Sequence, residues 1–193
     1  MKWSNFMDAT LQNKYQKKII TIPNVLSFIR LLMIPFLVWL YYVKSDNIGT
    51  VMLLVASGLT DIVDGFIARR FNMISDFGKI LDPIADKLTQ AVMLFCLMLK
   101  YKLMLLPLAL LVVKEILAAI MGILSIRRSG EVYSAFWHGK VATALLYLTL
   151  GIHVIWFEIP SIVSVTLILM CAAFMLLSSI LYTVRNVKII KGN

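Results

Sequence analysis

Four aspartates carry most of the chemistry this chain could perform. Asp61, Asp64, Asp82 and Asp86 lie in apolar stretches of a protein with only ten acidic residues. Asp61 and Asp64 are three apart and share one face of a helix, with Ala68 following near the same face. Asp82 and Asp86 are four apart and face one way from the next helix, and the segment from Phe71 to Phe77 turns the chain so that the pairs can meet. Carboxylates gathered in a low dielectric repel strongly. Protonation, basic partners or bound cations relieve that repulsion. An all-oxygen donor set without Cys or His favours hard ions, so Mg²⁺ or Mn²⁺ is expected, as a pair of ions. Such a pair suits phosphoryl chemistry, because it neutralises phosphate oxygens and stabilises a leaving group. Gly65 and Ala68 leave space beside the carboxylates for a ligand, and Arg69 can reach a phosphate. Ordinary loop-edge acids paired with Arg69, Arg70, Lys79 and Lys87 would not need this spacing or the small residues between.

The elements that must position these groups are membrane helices. The 193 residues are 61% hydrophobic and 15% charged, with a mean hydropathy of +0.89. A soluble domain of this size cannot cover so much apolar surface, and about 20 apolar residues span a bilayer. A net charge of +9 in a soluble protein would point to nucleic acid. Here the basic residues cluster between apolar runs, so no nucleic-acid partner is expected; the charges read as orientation signals and contacts to anionic lipid. Cys96 and Cys171 lie within apolar runs and are expected to be free, buried thiols. The first apolar run starts near Ile19, after Lys14, Lys17 and Lys18, with no small-residue cleavage site after it, and is expected to be a retained span rather than a signal peptide.

The pattern predicts an all-α integral membrane protein, one domain over residues 1–193, with six transmembrane helices and a short amphipathic surface helix before them. Trp3, Phe6, Met7, Thr10 and Leu11 give that surface helix its apolar face, within a juxtamembrane segment of residues 1–20. Pro23 suits the first turn of the next helix. The six spans are expected near residues 25–43, 49–70, 78–99, 103–126, 140–157 and 161–184. Lys14, Lys17, Lys18, Arg69, Arg70, Lys79, Arg127, Arg128, Lys140, Arg185, Lys188 and Lys191 fall on one side, against Lys44, Lys100 and Lys102 on the other. The positive-inside rule therefore puts both termini and the carboxylate loop in the cytoplasm, at the cell membrane.

The run D-x-x-D-G-x-x-A-R, eight residues, G-x-x-x-D-x-x-x-D is filled here by Asp61, Asp64, Gly65, Ala68, Arg69, Gly78, Asp82 and Asp86. It resembles the signature of the CDP-alcohol phosphotransferases, and the six expected spans resemble that family's layout over nearly the whole chain. The resemblance implies displacement of CMP from a CDP-linked lipid, CDP-diacylglycerol, by the hydroxyl of a second substrate. It implies that Asp61, Asp64 and Asp82 are metal ligands, that Asp86 lies near the second ion and acts as general base, and that Gly65, Ala68, Arg69 and Gly78 line the nucleotide and diphosphate site. It also implies a homodimer.

Two further segments bear on the acceptor. Ile22-Pro23-Asn24-Val25-Leu26-Ser27-Phe28-Ile29-Arg30 and Gly139-Lys140-Val141-Ala142-Thr143 resemble segments of phosphatidylglycerophosphate synthases and of the cardiolipin synthases of the same family. Arg30 lies inside the first span, where a charge is expensive, and is expected to face the central cavity. Lys114 stands where a phosphatidylglycerophosphate synthase commonly has arginine, and Gly122 stands where another arginine is common. Arg30, Lys114 and Lys140 are the candidate acceptor-binding residues. The expected acceptor is a small phosphorylated alcohol, glycerol 3-phosphate, giving phosphatidylglycerophosphate. The alternative is phosphatidylglycerol, giving cardiolipin. A reading from another class, an ion transporter with intramembrane carboxylates, would need polar residues through the full membrane depth, whereas these acids gather toward one side. His138 and His153 have no metal-ligand company and read as interfacial or packing residues, and Trp137, Trp156 and Tyr182 fit membrane-interface anchors.

Overall fold

The computed structural model describes residues 21–71, 77–129, 137–156 and 158–191. Among them every element is helical: α1 (Ile22–Trp39, running into a π-helical turn Leu40–Lys44), α2 (Asn47–Arg70), α3 (Gly78–Met98), α4 (Leu105–Ser129, after a 3₁₀ turn Lys102–Met104), α5 (Trp137–Ile155) and α6 (Ser161–Lys191). Each apolar segment marked out by the sequence is therefore a helix, and α6 runs beyond the end expected near Val184. The surface helix expected over residues 3–18 lies outside the described residues. By length and composition, four stretches can cross a membrane: Ile22–Lys44, Asn47–Ala68, Lys102–Met121 and Ser161–Val187. The expectation of six is met only that far. The apolar run Gly139–Ile155 is shorter, and α3 carries Asp82, Asp86 and Lys87 along its length.

Local chemistry accounts for the helix ends. Thr21 Oγ1 accepts the Asn24 N–H at 3.4 Å, while Pro23 occupies the first turn, where its missing N–H costs nothing. After the π turn, Ser45 takes a left-handed φ of 50°, which ends the helix. Asp46 then caps α2, its Oδ1 accepting the Gly49 N–H at 2.9 Å. A Cβ on Gly49 would come within 2.4 Å of that carboxylate, so a larger residue there would require the Asp46 side chain to shift.

The chain forms two compact units, Met1–Pro35 with Val55–Thr89 and Phe36–Leu54 with Gln90–Asn193. The first is unusual in what it buries: Asn24, Ser27, Arg30, Ser57, Asp64 and Thr89 are all enclosed, while Val25, Phe28, Ile29, Leu32 and Phe66 are exposed. A soluble protein would do the reverse, and the pattern is that of helices with lipid outside and polar groups inside.

The second unit has an apolar interior. Leu37, Leu54, Leu94 and Leu97 join Leu146, Leu150, Ile168 and Met175 in one buried cluster, with α6 packed against α4 and α5. Cys96 and Cys171 are buried and free, as expected. His153 is a packing residue: its ring lies 2.8 Å from the Thr149 carbonyl through Nδ1 and 2.9 Å from Ser164 Oγ through Nε2. A carbonyl only accepts, so Nδ1 carries the proton and Nε2 accepts from the serine, which ties α5 to α6. Tyr101 meets the ring edge-on with centroids 5.0 Å apart. The side chains of Trp137 and His138 lie outside the described residues. His153→Ala, which removes this tie and strands the buried Ser164 hydroxyl, is expected to lower stability by about 1–3 kcal/mol. Thermal unfolding of the detergent-solubilised variant beside the wild type measures this.

Candidate active site

α1 supplies the polar groups that organise the acids. Asn24, Ser27 and Arg30 are three apart, so they lie along one side of the helix, and all three are buried. Arg30 is fully enclosed, and its planar fork bridges two carboxylates one helical turn apart. Nη1 donates to Asp61 Oδ1 at 2.7 Å and Nη2 to Asp64 Oδ2 at 2.5 Å. Asp64 is 2% exposed, whereas the Asp61 side chain is 42% exposed, so one carboxylate is enclosed and its neighbour opens outward. A charge buried as Asp64 is would cost several kcal/mol unpaired, and the arginine offsets that cost.

One turn before Arg30, Ser27 Oγ donates to Asp82 Oδ1 and sits 3.0 Å from the Pro23 carbonyl. α1 thus holds one acid-bearing helix through Arg30 and the other through Ser27. Asp86 pairs with Lys87 at 3.2 Å. Asp61 and Asp64 of α2 and Asp82 of α3 are thus drawn to one side of α1.

The donor set suits a hard divalent ion, since it offers only carboxylate oxygens and the four acids outnumber Arg30 and Lys87. The fit is one of chemistry, with the closing of the ligand shell left to be made. Among the described residues no three acidic, histidine or cysteine side chains are gathered tightly enough to hold an ion. Gly65 and Ala68 are partly buried on α2 and Gly78 is buried at the start of α3, while the Arg69 side chain lies outside the described residues.

The three residues expected to meet the acceptor are placed differently from one another. Arg30 does face inward, and its two terminal nitrogens each engage one carboxylate, Asp61 and Asp64. Lys114 is half-buried on α4 and lies 3.8 Å from the adjacent Glu115, a loose pair. Lys140 is exposed on α5. Arg127 and Arg128 have side chains outside the described residues.

Sequence reasoning assigned no role to Ser27 or Asn24. The signal was there, since polar residues three apart on an otherwise apolar membrane helix face inward together. A cavity of about 650 Å³ in the second unit is lined by Tyr41, Tyr42, Ser45, Asn47, Cys96, Leu99 and Lys100. It holds no acid and none of the motif residues, so chemistry favours the carboxylate cluster as the site.

Comparison with known proteins bears on the family. The family model for CDP-alcohol phosphatidyltransferase matches residues 20–184. A Rickettsia typhi protein named CDP-diacylglycerol–glycerol-3-phosphate 3-phosphatidyltransferase is 41% identical over 70 residues, covering 35% of this chain and 39% of that protein. Its Rickettsia bellii namesake is 36% identical over 101 residues, 51% of this chain and 55% of that one. A Streptomyces coelicolor cardiolipin synthase (CMP-forming) is 42% identical over 77 residues, 37% of this chain and 35% of that one. The matched segments thus span between about a third and just over half of these relatives. With the family model matched over nearly its whole length, the chain belongs to the CDP-alcohol phosphatidyltransferase family.

Proposed function

We propose that this protein transfers the phosphatidyl group of CDP-diacylglycerol to the hydroxyl of an acceptor and releases CMP. The observation that supports this reading is that α1 engages aspartates of both helices, Asp61 and Asp64 of α2 through Arg30 and Asp82 of α3 through Ser27. Asp61, Asp64, Asp82 and Asp86 would hold Mg²⁺ or Mn²⁺, as a pair of ions. When bound, the ions neutralise the diphosphate and stabilise the departing CMP. Gly65, Ala68 and Gly78 leave room for the nucleotide and diphosphate, and Arg69 would contact a phosphate oxygen. Asp86 takes the proton of the acceptor hydroxyl. The oxygen bonds to the phosphorus that bears diacylglycerol, and the bond from that phosphorus to the bridging diphosphate oxygen breaks, so CMP leaves with the electron pair.

The acceptor we favour is glycerol 3-phosphate, the substrate for which the Rickettsia relatives are named. Lys114 and Lys140 would meet its phosphate. A second reading, phosphatidylglycerol as acceptor, is favoured by the comparable likeness to a cardiolipin synthase and by Gly122 in α4, where the other enzyme type commonly has arginine. The wider arrangement is part of the same proposal. It comprises a single membrane domain, six spans after a surface helix, both termini and the carboxylates on the cytoplasmic side of the cell membrane, and a homodimer. Such a site lets a water-soluble nucleotide and a lipid tail reach the same atoms.

Purified protein given CDP-diacylglycerol and Mn²⁺ or Mg²⁺, with glycerol 3-phosphate, phosphatidylglycerol, inositol phosphate or serine in separate reactions, is expected to release CMP with one of the first two. Release with no acceptor at all, or with none of the four, would overturn the substrate class. Asp86→Asn is expected to lower turnover by about 10²–10⁴-fold while CMP still binds, and unchanged turnover removes its role as base. With glycerol 3-phosphate as acceptor, Lys140→Ala is expected to raise its KM about tenfold, the worth of one charge-assisted hydrogen bond, with a smaller change in kcat.

A further inference from the structure

We propose that Arg30 is the resident cation of the carboxylate site. It holds Asp61 and Asp64 while no metal ion is bound, and its charge competes with the ion for them. The inference rests on the metal-site reading above and adds a determinant of metal affinity that is not itself a ligand.

Three observations carry it. Arg30 is completely enclosed, so its charge has no water to answer it, and Asp61 and Asp64 supply the compensation directly. Its Nε has no partner among the described residues, so the surroundings answer the guanidinium through these two ion pairs and leave its third side unserved. A pocket shaped around a permanently seated arginine would be expected to serve that side as well. Lastly, among the described residues no three acids are gathered closely enough to hold an ion. Asp61 Oδ1 and Asp64 Oδ2 are the oxygens that Arg30 occupies while they stay apart.

The sign of the effect follows from linkage. An ion ligated by both aspartates comes within a few ångströms of the guanidinium, where like charges repel and solvent screens them little. Whatever stabilisation Arg30 provides in the metal-free site is then subtracted from the apparent affinity for the ion. A simple clamp that pre-positions the aspartates for metal would act in the opposite direction, since its removal would weaken binding. The direction of one affinity change therefore separates the two. In functional terms, Arg30 prevents the acids from repelling one another before loading and keeps the ion exchangeable.

The test is Mn²⁺ binding by the full-length protein in detergent micelles without substrate, read from the electron paramagnetic resonance of free Mn²⁺. Arg30→Gln is expected to lower the Kd about fivefold or more. Arg30→Lys keeps the charge but loses the two-pronged contact, so its Kd should fall between the two. The metal-free Arg30→Gln protein should also unfold at a lower temperature than the wild type, with the gap narrowing at saturating Mn²⁺. A Kd that is unchanged or raised in Arg30→Gln overturns the proposal and leaves the metal-site reading standing. Failure of both wild type and variant to bind Mn²⁺ overturns the two together. Should Arg30→Gln not yield folded protein, Arg30→Lys decides alone, a Kd below wild type supporting the proposal and an equal or higher one overturning it.

Discussion

A guanidinium sealed inside an apolar helix bundle must have negative charge beside it, and much of the first unit's architecture answers that requirement. Arg30 reaches two carboxylates that only a helix places one turn apart, so α2 must be helical and turned to this face. One of those carboxylates, Asp64, is itself enclosed and could not stay charged there without the arginine. Each member of the pair makes the other tolerable. Ser27, one turn away on the same side of α1, extends the arrangement to Asp82 on α3. Three of the four acids, Asp61, Asp64 and Asp82, are thereby engaged by a single neighbouring helix.

The same logic explains why the helices bury what they do. Lipid-facing positions can be apolar without cost, so Phe28, Ile29, Leu32 and Phe66 point outward while polar groups are drawn in. The second unit makes a contrast. Its interior is a leucine- and methionine-rich cluster, and both ring nitrogens of its buried histidine are hydrogen-bonded, to Thr149 and Ser164. Among the described residues, the buried charges, Arg30 and Asp64, both belong to the first unit. That division fits the proposal of metal and phosphate chemistry in the first unit, with ordinary packing in the second.

Much of the site was legible because its signals are local. Asp61 with Asp64, and Asp82 with Asp86, acquire a shared face from helical periodicity alone, and the small residues Gly65 and Ala68 need only be read in register with them. The helices were legible for the same reason, since a long apolar run in a chain this poor in charge leaves few alternatives. Their capacity to cross a membrane was less so. α3 reads as a span only if its acids and lysine are answered by neighbours, which periodicity does not reveal, and the shortness of the apolar run in α5 is likewise a matter of where the helix actually ends. The role of Arg30 was half legible: its inward direction followed from the expense of a charge facing lipid, but its partner did not.

What the sequence by itself determined is the family motif, the helical character of every apolar segment and the chemical type of the donor set. These depend on residue identity and on spacings of three, four and eight, which the helix and a short turn convert directly into geometry. What only the tertiary structure decided is which groups satisfy one another. Arg30 meets Asp61 and Asp64 across 31 and 34 residues of chain, and Ser27 meets Asp82 across 55. At such separations no local rule operates. The pairing is selected by the free energy of burying charge, which favours the one arrangement in which each enclosed ion finds its opposite.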